Sequence, residues 1–299
     1  MNKIVTILLL VTSLTFGQSA GNAGMSFLKI GFGARQLALG DFGIVGINDV
    51  TAYNYNPALL SGFENSQIIF THNQWIQDLS SNMLGATFEM FSLPFAFTVN
   101  TTSIKDIEVR TRPGDAESTF NANYMYIGLA TGFRLYENLS TGLTLRYVYE
   151  NLFSDESSGM LFDIGLHYSD LIENLDVAFS LRNMGSVDVL RNEETEVPTD
   201  LRFGASYKIP AENISTDFTF IGGYQKYTPV DASHIHFGAE AFYDNVVAVR
   251  LGYMTGYESK GLTAGLGLQW KGINFDYAYT PFDYNLGNSH TISLMYTFH

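Results

Sequence analysis

The feature that most limits what this chain can become is a two-residue alternation of apolar and polar side chains that begins near Ser66 and runs to the end. The closing segment shows it plainly: Ile292, Leu294, Tyr296 and Phe298 alternate with Thr291, Ser293, Met295 and Thr297. The same rhythm sets Leu143, Leu145, Tyr147 and Tyr149 against Thr144, Arg146, Val148 and Glu150. Successive side chains on a strand point to opposite faces, so each segment carries one apolar and one polar face. The rhythm predicts strands at 66–75, 82–91, 94–104, 120–135, 139–153, 159–169, 175–184, 199–208, 214–226, 234–243, 246–256, 261–271, 273–280 and 289–298. That is about fourteen, an even number, as is usual for single-chain bacterial outer-membrane barrels.

The connections alternate in length. Short ones fall at 92–93, 136–138, 170–174, 209–213 and 244–245, and longer ones at 105–119, 154–158, 185–198, 227–233 and 281–288. Short turns at one end and longer loops at the other are how outer-membrane barrels are strung. A sandwich of two packed sheets is the competing architecture, but it would bury the apolar faces together and has no need of this asymmetry. The polar face holds Glu89, Glu150, Asp163, Asp176, Asp217, Glu240 and Asp276, with Arg134, Arg146, Arg182, Arg202 and Arg250. A basic side chain turned to lipid at the midplane costs roughly 2–4 kcal/mol, so these groups belong inside, where they can pair across strands. Trp75, Tyr168, Tyr207, Tyr243, Trp270, Tyr279 and Phe298 fall toward strand ends, where aromatic girdles meet the membrane interfaces. The expected fold is all-β, a transmembrane antiparallel barrel in the outer membrane, in contact with its lipid.

The stretch from Gly31 to Leu60 does not alternate. Its glycines (Gly31, Gly33, Gly40, Gly43, Gly46) suit close backbone approach and tight turns. Asp49 can cap a short helix, and Pro57 can open a second helical turn, where its missing amide is not needed. We read residues 18–65 as a compact plug-like segment tucked into or under the barrel of 66–299; the competing reading is a periplasmic lead-in. Residues 1–17 have the form of a secretory signal peptide, with Lys3, an apolar run from Ile4 to Leu14, and a Thr15-Phe16-Gly17 cleavage site.

Composition excludes several function classes. The chain carries 16 basic against 30 acidic residues, a formal charge of -14, whereas nucleic-acid binding needs a basic face. It contains no cysteine, so disulfides contribute nothing to its stability. His234 and His236 point the same way on one strand, with Glu240 on that face; two imidazoles so placed can hold a metal, and the competing reading makes them polar residues lining the barrel. The acidic loop 188–196, with Asp188, Glu193, Glu194 and Glu196, reads as a solvated outer loop or as an attractor of cations and basic partners. No G-x-S-x-G elbow and no phosphate loop is present, so we expect no catalytic residues, no cofactor and no metal.

The segments Ser26 to Arg35 (SFLKIGFGAR), Ala38-Leu39-Gly40, the Asp49 region, Asn56-Pro57-Ala58 and Thr71 to Trp75 (THNQW) resemble the PorV/PorQ family. These are outer-membrane barrels distantly related to the FadL fatty-acid transporters and tied to type IX secretion in Bacteroidota. The match covers roughly residues 25–90. Asp41 stands where many members carry a second glycine. The resemblance implies a fourteen-stranded FadL-like barrel with its N-terminal segment inside. Gly33, Ala34, Arg35, Gly40, Asp49, Asn56 and Pro57 would then form the family signature. It also implies a non-enzymatic accessory role in type IX secretion, binding the translocon or secreted cargo. The alternative is a FadL-like transporter of hydrophobic small molecules, against which the charged inner face weighs, since Phe242, Met254 and Met295 are its few apolar positions. Tyr296 and Phe298, on the closing strand, resemble the terminal segment read by the outer-membrane insertion machinery.

Overall fold

The computed structural model describes residues 24–47, 49–190, 195–230 and 232–298. The leader 1–17, Glu193, Glu194 and His299 lie outside the described residues. Beyond residue 66 the chain is one antiparallel sheet rolled on itself. Its strands are β1 (Gln67–Gln74), β2 (Leu79–Met90), β3 (Leu93–Val109), β4 (Ser118–Arg134), β5 (Leu139–Leu152), β6 (Asp155–Ile172) and β7 (Leu175–Val187). There follow β8 (Asp200–Ala211), β9 (Thr216–Tyr227), β10 (Ala232–Tyr243), β11 (Val247–Met254), β12 (Leu262–Trp270), β13 (Ile273–Pro281) and β14 (Asn288–Thr297). Each strand pairs with its neighbours in sequence, and β1 pairs with β14, Gln67 opposite Thr297 and Gln74 opposite His290, which closes the barrel. The strands expected from the alternation are all present.

At one end the connections are short: 91–92, 135–138, 173–174, 212–215, 244–246 and 271–272. Asp244 and Asn245 both have positive φ (52° and 54°), the pair of left-handed positions that a tight hairpin with the right twist requires. Loops at the other end are mostly longer, at 75–78, 110–117, 188–199, 228–231, 255–261 and 282–287. Two expected loops are corrected. Residues 154–158 are not a loop: the turn is 153–154, and Ser157 and Ser158 already pair with Glu150 and Tyr149. The 105–119 connection shrinks because β3 continues to Val109 through a bulge between Ile104 and Ile107. Serine and glycine look like turn residues locally, but pairing across the hairpin overrides that preference.

The outer wall is apolar. Phe70, Leu84, Leu145, Phe162, Phe203, Leu251, Leu266 and Leu294 all point outward and are exposed. A continuous apolar belt of this kind is a liability in water and a requirement in lipid. Tyr168, Tyr207, Tyr243, Trp270 and Phe298 are exposed where strands meet the short turns, forming a girdle at that end. Trp75 is corrected: it packs against the interior cluster, edge-on to Phe282 with ring centroids 5.1 Å apart.

Candidate functional site

The candidate site is the lumen, which the chain fills with its own N-terminal segment. Nearly every described residue from Met25 to Leu60 is buried. The path starts near the long-loop end, where Phe27 stacks on Tyr124 at 4.9 Å. It then forms helix α1 (Ala34–Ala38), lying against β11 to β14, and helix α2 (Ala52–Tyr55). A 3-10 turn, Pro57–Gly62, packs on β3 to β6 before the chain enters β1.

Inward-facing glycines make this docking possible. A Cβ on Gly142 would fall 2.3 Å from the Pro57 carbonyl carbon, and one on Gly132 would fall 2.6 Å from the Pro57 oxygen. At the opposite wall a Cβ on Gly252 would lie 2.1 Å from the Gly40 nitrogen. Backbone meets backbone at these points, which only glycine permits. The signal was in the sequence, as glycines recurring at inward positions of successive strands.

The structure brings the signature residues together along this segment. Gly33, at φ 88°, precedes α1, and the Ala34 amide donates to Ser293 Oγ at 2.9 Å. Arg35 donates to Glu240 through Nε (3.0 Å) and Nη2 (2.8 Å), and to the Gly46 carbonyl at 3.1 Å. Glu240 also accepts from Arg250, which reaches on to Asp276, both at 2.5 Å. Gly40, at φ 82°, has its carbonyl 2.7 Å from His236 Nδ1, and its amide donates to Thr263 Oγ1 at 3.1 Å. Asp49 accepts from the Thr51 amide at 2.8 Å and from Gln36 Nε2 at 3.1 Å. Asn56 accepts from the Ala58 amide at 3.1 Å, capping the turn that Pro57 opens, and donates to the carbonyls of Ile44 (2.9 Å) and Leu166 (3.1 Å). Asp41 has φ 53°, a left-handed position where glycine is the easy choice, and it accepts from Tyr55 Oη at 2.9 Å.

Charged wall residues are neutralised in place. Arg146 pairs with Asp163 and donates to Asn183 at 2.8 Å. Asp200 sits 2.7 Å from Arg202 and 3.8 Å from Arg182. Sequence reasoning missed the tyrosines on which these guanidinium groups rest: Arg146 lies 5.7 Å from the Tyr53 ring and 5.4 Å from that of Tyr126, and Arg182 and Arg202 both lie over Tyr55. The expectation of an interior with few apolar groups is also corrected. Phe27, Phe32, Phe42, Ile44, Val45, Val50, Tyr53 and Leu60 form one buried cluster with wall residues such as Met83, Tyr126 and Leu161. Much of this apolar content comes from the segment, and inward wall positions such as Met83, Val148 and Leu161 add to it.

The two mouths differ. Toward the short-turn end a cavity of about 790 Å³ is lined by Arg35, Asp49, Glu240, Phe242, Arg250 and Asp276, among others. At the long-loop end a chain of rings and cations crosses the opening. Lys29 lies 5.3 Å from the Tyr227 ring, His234 stacks on Tyr257 at 3.8 Å, and Lys260 sits 4.4 Å from Tyr257 and 5.2 Å from Trp75. Burial lowers the pKa of both ammonium groups. His234 and His236 thus contact rings and the inner segment, and among the described residues no group of three or more His, Asp or Glu side chains is disposed to hold a metal.

A closed fourteen-stranded barrel with an apolar outer wall and charges turned inward is an outer-membrane protein. No family model matches the chain, and no curated protein does. Solved structures do. The Pseudomonas putida toluene transporter TodX superposes with a TM-score of 0.67 at 12% identity, over 89% of this chain and 98% of that one. The monoaromatic hydrocarbon channel CymD gives 0.64 at 14% identity, over 90% and 98%. At such identity the likeness is one of fold: this chain has the closed outer-membrane barrel fold that TodX and CymD share.

Proposed function

We propose that this protein is a plugged outer-membrane channel for small hydrophobic molecules. The partition into a leader (1–17), a luminal segment (18–65) and a barrel (66–299) belongs to the same proposal. One observation carries it: the lumen holds an aromatic and aliphatic cluster, built by Phe27, Phe32, Tyr53, Tyr124 and Tyr126, between the inner segment and the β2–β6 side of the wall. Where the inner segment yields, such a cluster accepts an apolar solute in place of its own side chains and excludes a hydrated polar one. The fold shared with TodX and CymD supports the same reading.

The second reading, an accessory role in type IX secretion with translocon or cargo proteins as partners, rests on the sequence signature. The residues that carry it, among them Arg35, Gly40 and Asn56, are engaged inside the barrel and not on a docking surface. They therefore argue for a shared architecture more than for a shared partner. The test is uptake of a labelled alkylbenzene in cells lacking this protein and its paralogues, with and without the restored gene. Restored uptake together with normal surface delivery of type IX cargo is the expected result. Unchanged uptake with cargo trapped in the periplasm, or recovery of translocon subunits on gentle purification, would replace transport by secretion.

A further inference from the structure

Within the aromatic cluster, one side chain of the inner segment occupies a seat that the wall forms around it. Tyr53, on helix α2, comes down on residues that stand side by side on three strands: Thr98 of β3 pairs with Gly128 of β4, and Gly128 pairs with Arg146 of β5. Tyr126, two positions earlier on β4, shares the inner face with Gly128. The glycine supplies the room. A Cβ there would lie 3.0 Å from Tyr53 Cε2 and 3.3 Å from Thr98 Oγ1, so the ring rests against bare backbone. The Arg146 guanidinium lies 5.7 Å from the centre of the Tyr53 ring, within reach of a cation–π contact. Its bonds to Asp163 and Asn183 hold it there.

The polar end of this seat is incomplete. The hydroxyls of Thr98 and Tyr126 lie beside that of Tyr53, and all three residues are fully buried. Among the described residues, none of the three oxygens makes a hydrogen bond of good geometry, and neither does Arg146 Nε. A buried hydroxyl without a partner is costly, and converging hydroxyls of this kind are completed by one more oxygen atom placed among them. The Tyr53 side chain is itself a para-alkylphenol. It sets a flat ring on glycine backbone under a guanidinium, with its oxygen at the end that Thr98 and Tyr126 flank. A hydrocarbon in its place would keep the ring contacts and leave the wall hydroxyls facing carbon. A phenol satisfies both ends.

We propose that this seat selects para-alkylphenols, p-cresol being the smallest, and that Tyr53 is the chain's own stand-in, which the solute displaces when the segment yields. The proposal rests on the transport reading and names the solute class for it. The test takes cells lacking this protein and its paralogues and measures initial uptake of labelled p-cresol and toluene, with and without the restored full-length gene. The gene-dependent rate should be roughly tenfold higher for p-cresol, the worth of one well-made buried hydrogen bond. Thr98→Val, which keeps the side-chain shape and loses the hydroxyl, should cut that ratio about threefold. Purified Tyr53→Ala protein in detergent micelles, its seat vacated, should bind p-cresol saturably and toluene roughly tenfold more weakly, read by calorimetry against empty micelles. Retained heat-dependent gel mobility would show that the variants are folded. Gene-dependent uptake equal for the two solutes, or equal binding by the Tyr53→Ala protein, overturns the proposal and leaves the transport reading standing. No gene-dependent uptake of either solute overturns both. An unchanged ratio in folded Thr98→Val protein would mean that water completes the hydroxyl cluster and selects nothing, which also overturns the proposal.

Discussion

At the scale of single residues the molecule depends on charges that are tolerable only in company. Glu240 serves both Arg35 and Arg250, and all three are largely buried. Glu240→Ala would remove the carboxylate that Arg35 and Arg250 share and leave Asp276 as the carboxylate bonded to Arg250. Breaking a buried pair of this kind costs about 3–5 kcal/mol. We expect the lower end, because the cavity beneath is open to water, and we expect the inner segment to become sensitive to protease before the barrel does. Limited proteolysis at rising temperature checks this; an unchanged cleavage pattern would show that the cluster does not seat the segment. Asn56 is a second such point, with three hydrogen bonds to three different parts of the chain. Asn56→Ala should lower stability by about 2–3 kcal/mol, whereas Asn56→Asp keeps the cap to Ala58 and loses the two donated bonds. If the aspartate variant melts like the wild type, the cap alone matters.

At the scale of elements, the 3-10 turn Pro57–Gly62 sits in a socket of glycines. Gly142→Val should force the turn out of its socket, because the added carbons meet Pro57 backbone and not the tip of a flexible side chain. Such overpacking costs about 1–3 kcal/mol or more. Gly62→Ala is the control, since a Cβ there meets nothing within 4 Å. Thermal unfolding in detergent should separate the two variants, and equal midpoints would mean that the socket is looser than its distances imply. The strands themselves were legible because a two-residue period is a local property that survives any tertiary arrangement. The β5–β6 turn was not legible. Ser154, Ser157 and Ser158 resemble loop residues, yet all but Ser154 lie in strand.

At the scale of the whole molecule, the barrel should migrate differently on a gel before and after boiling and should fractionate with the outer membrane. Mobility that heat does not change, in a soluble fraction, would contradict the apolar outer wall. Tyr296 and Phe298 lie at the end of the closing strand, edge to face at 4.9 Å, with Phe298 exposed. We propose that this pair is read during insertion. Phe298→Ala should then lower the assembled amount and raise a protease-sensitive periplasmic pool, and unchanged levels would show that the closing strand is not used in this way.

Alternation by itself pointed to about fourteen strands and to which side chains face lipid, because both follow from neighbours two residues apart. The acidic composition and the inward arginines likewise pointed to a polar interior. Only the tertiary structure decided what fills that interior. Arg35 and Glu240 are separated by 205 positions, and Ala34 and Ser293 by 259. No local pattern encodes contacts of that range, which exist only once the sheet has closed and brought its walls around the N-terminal segment.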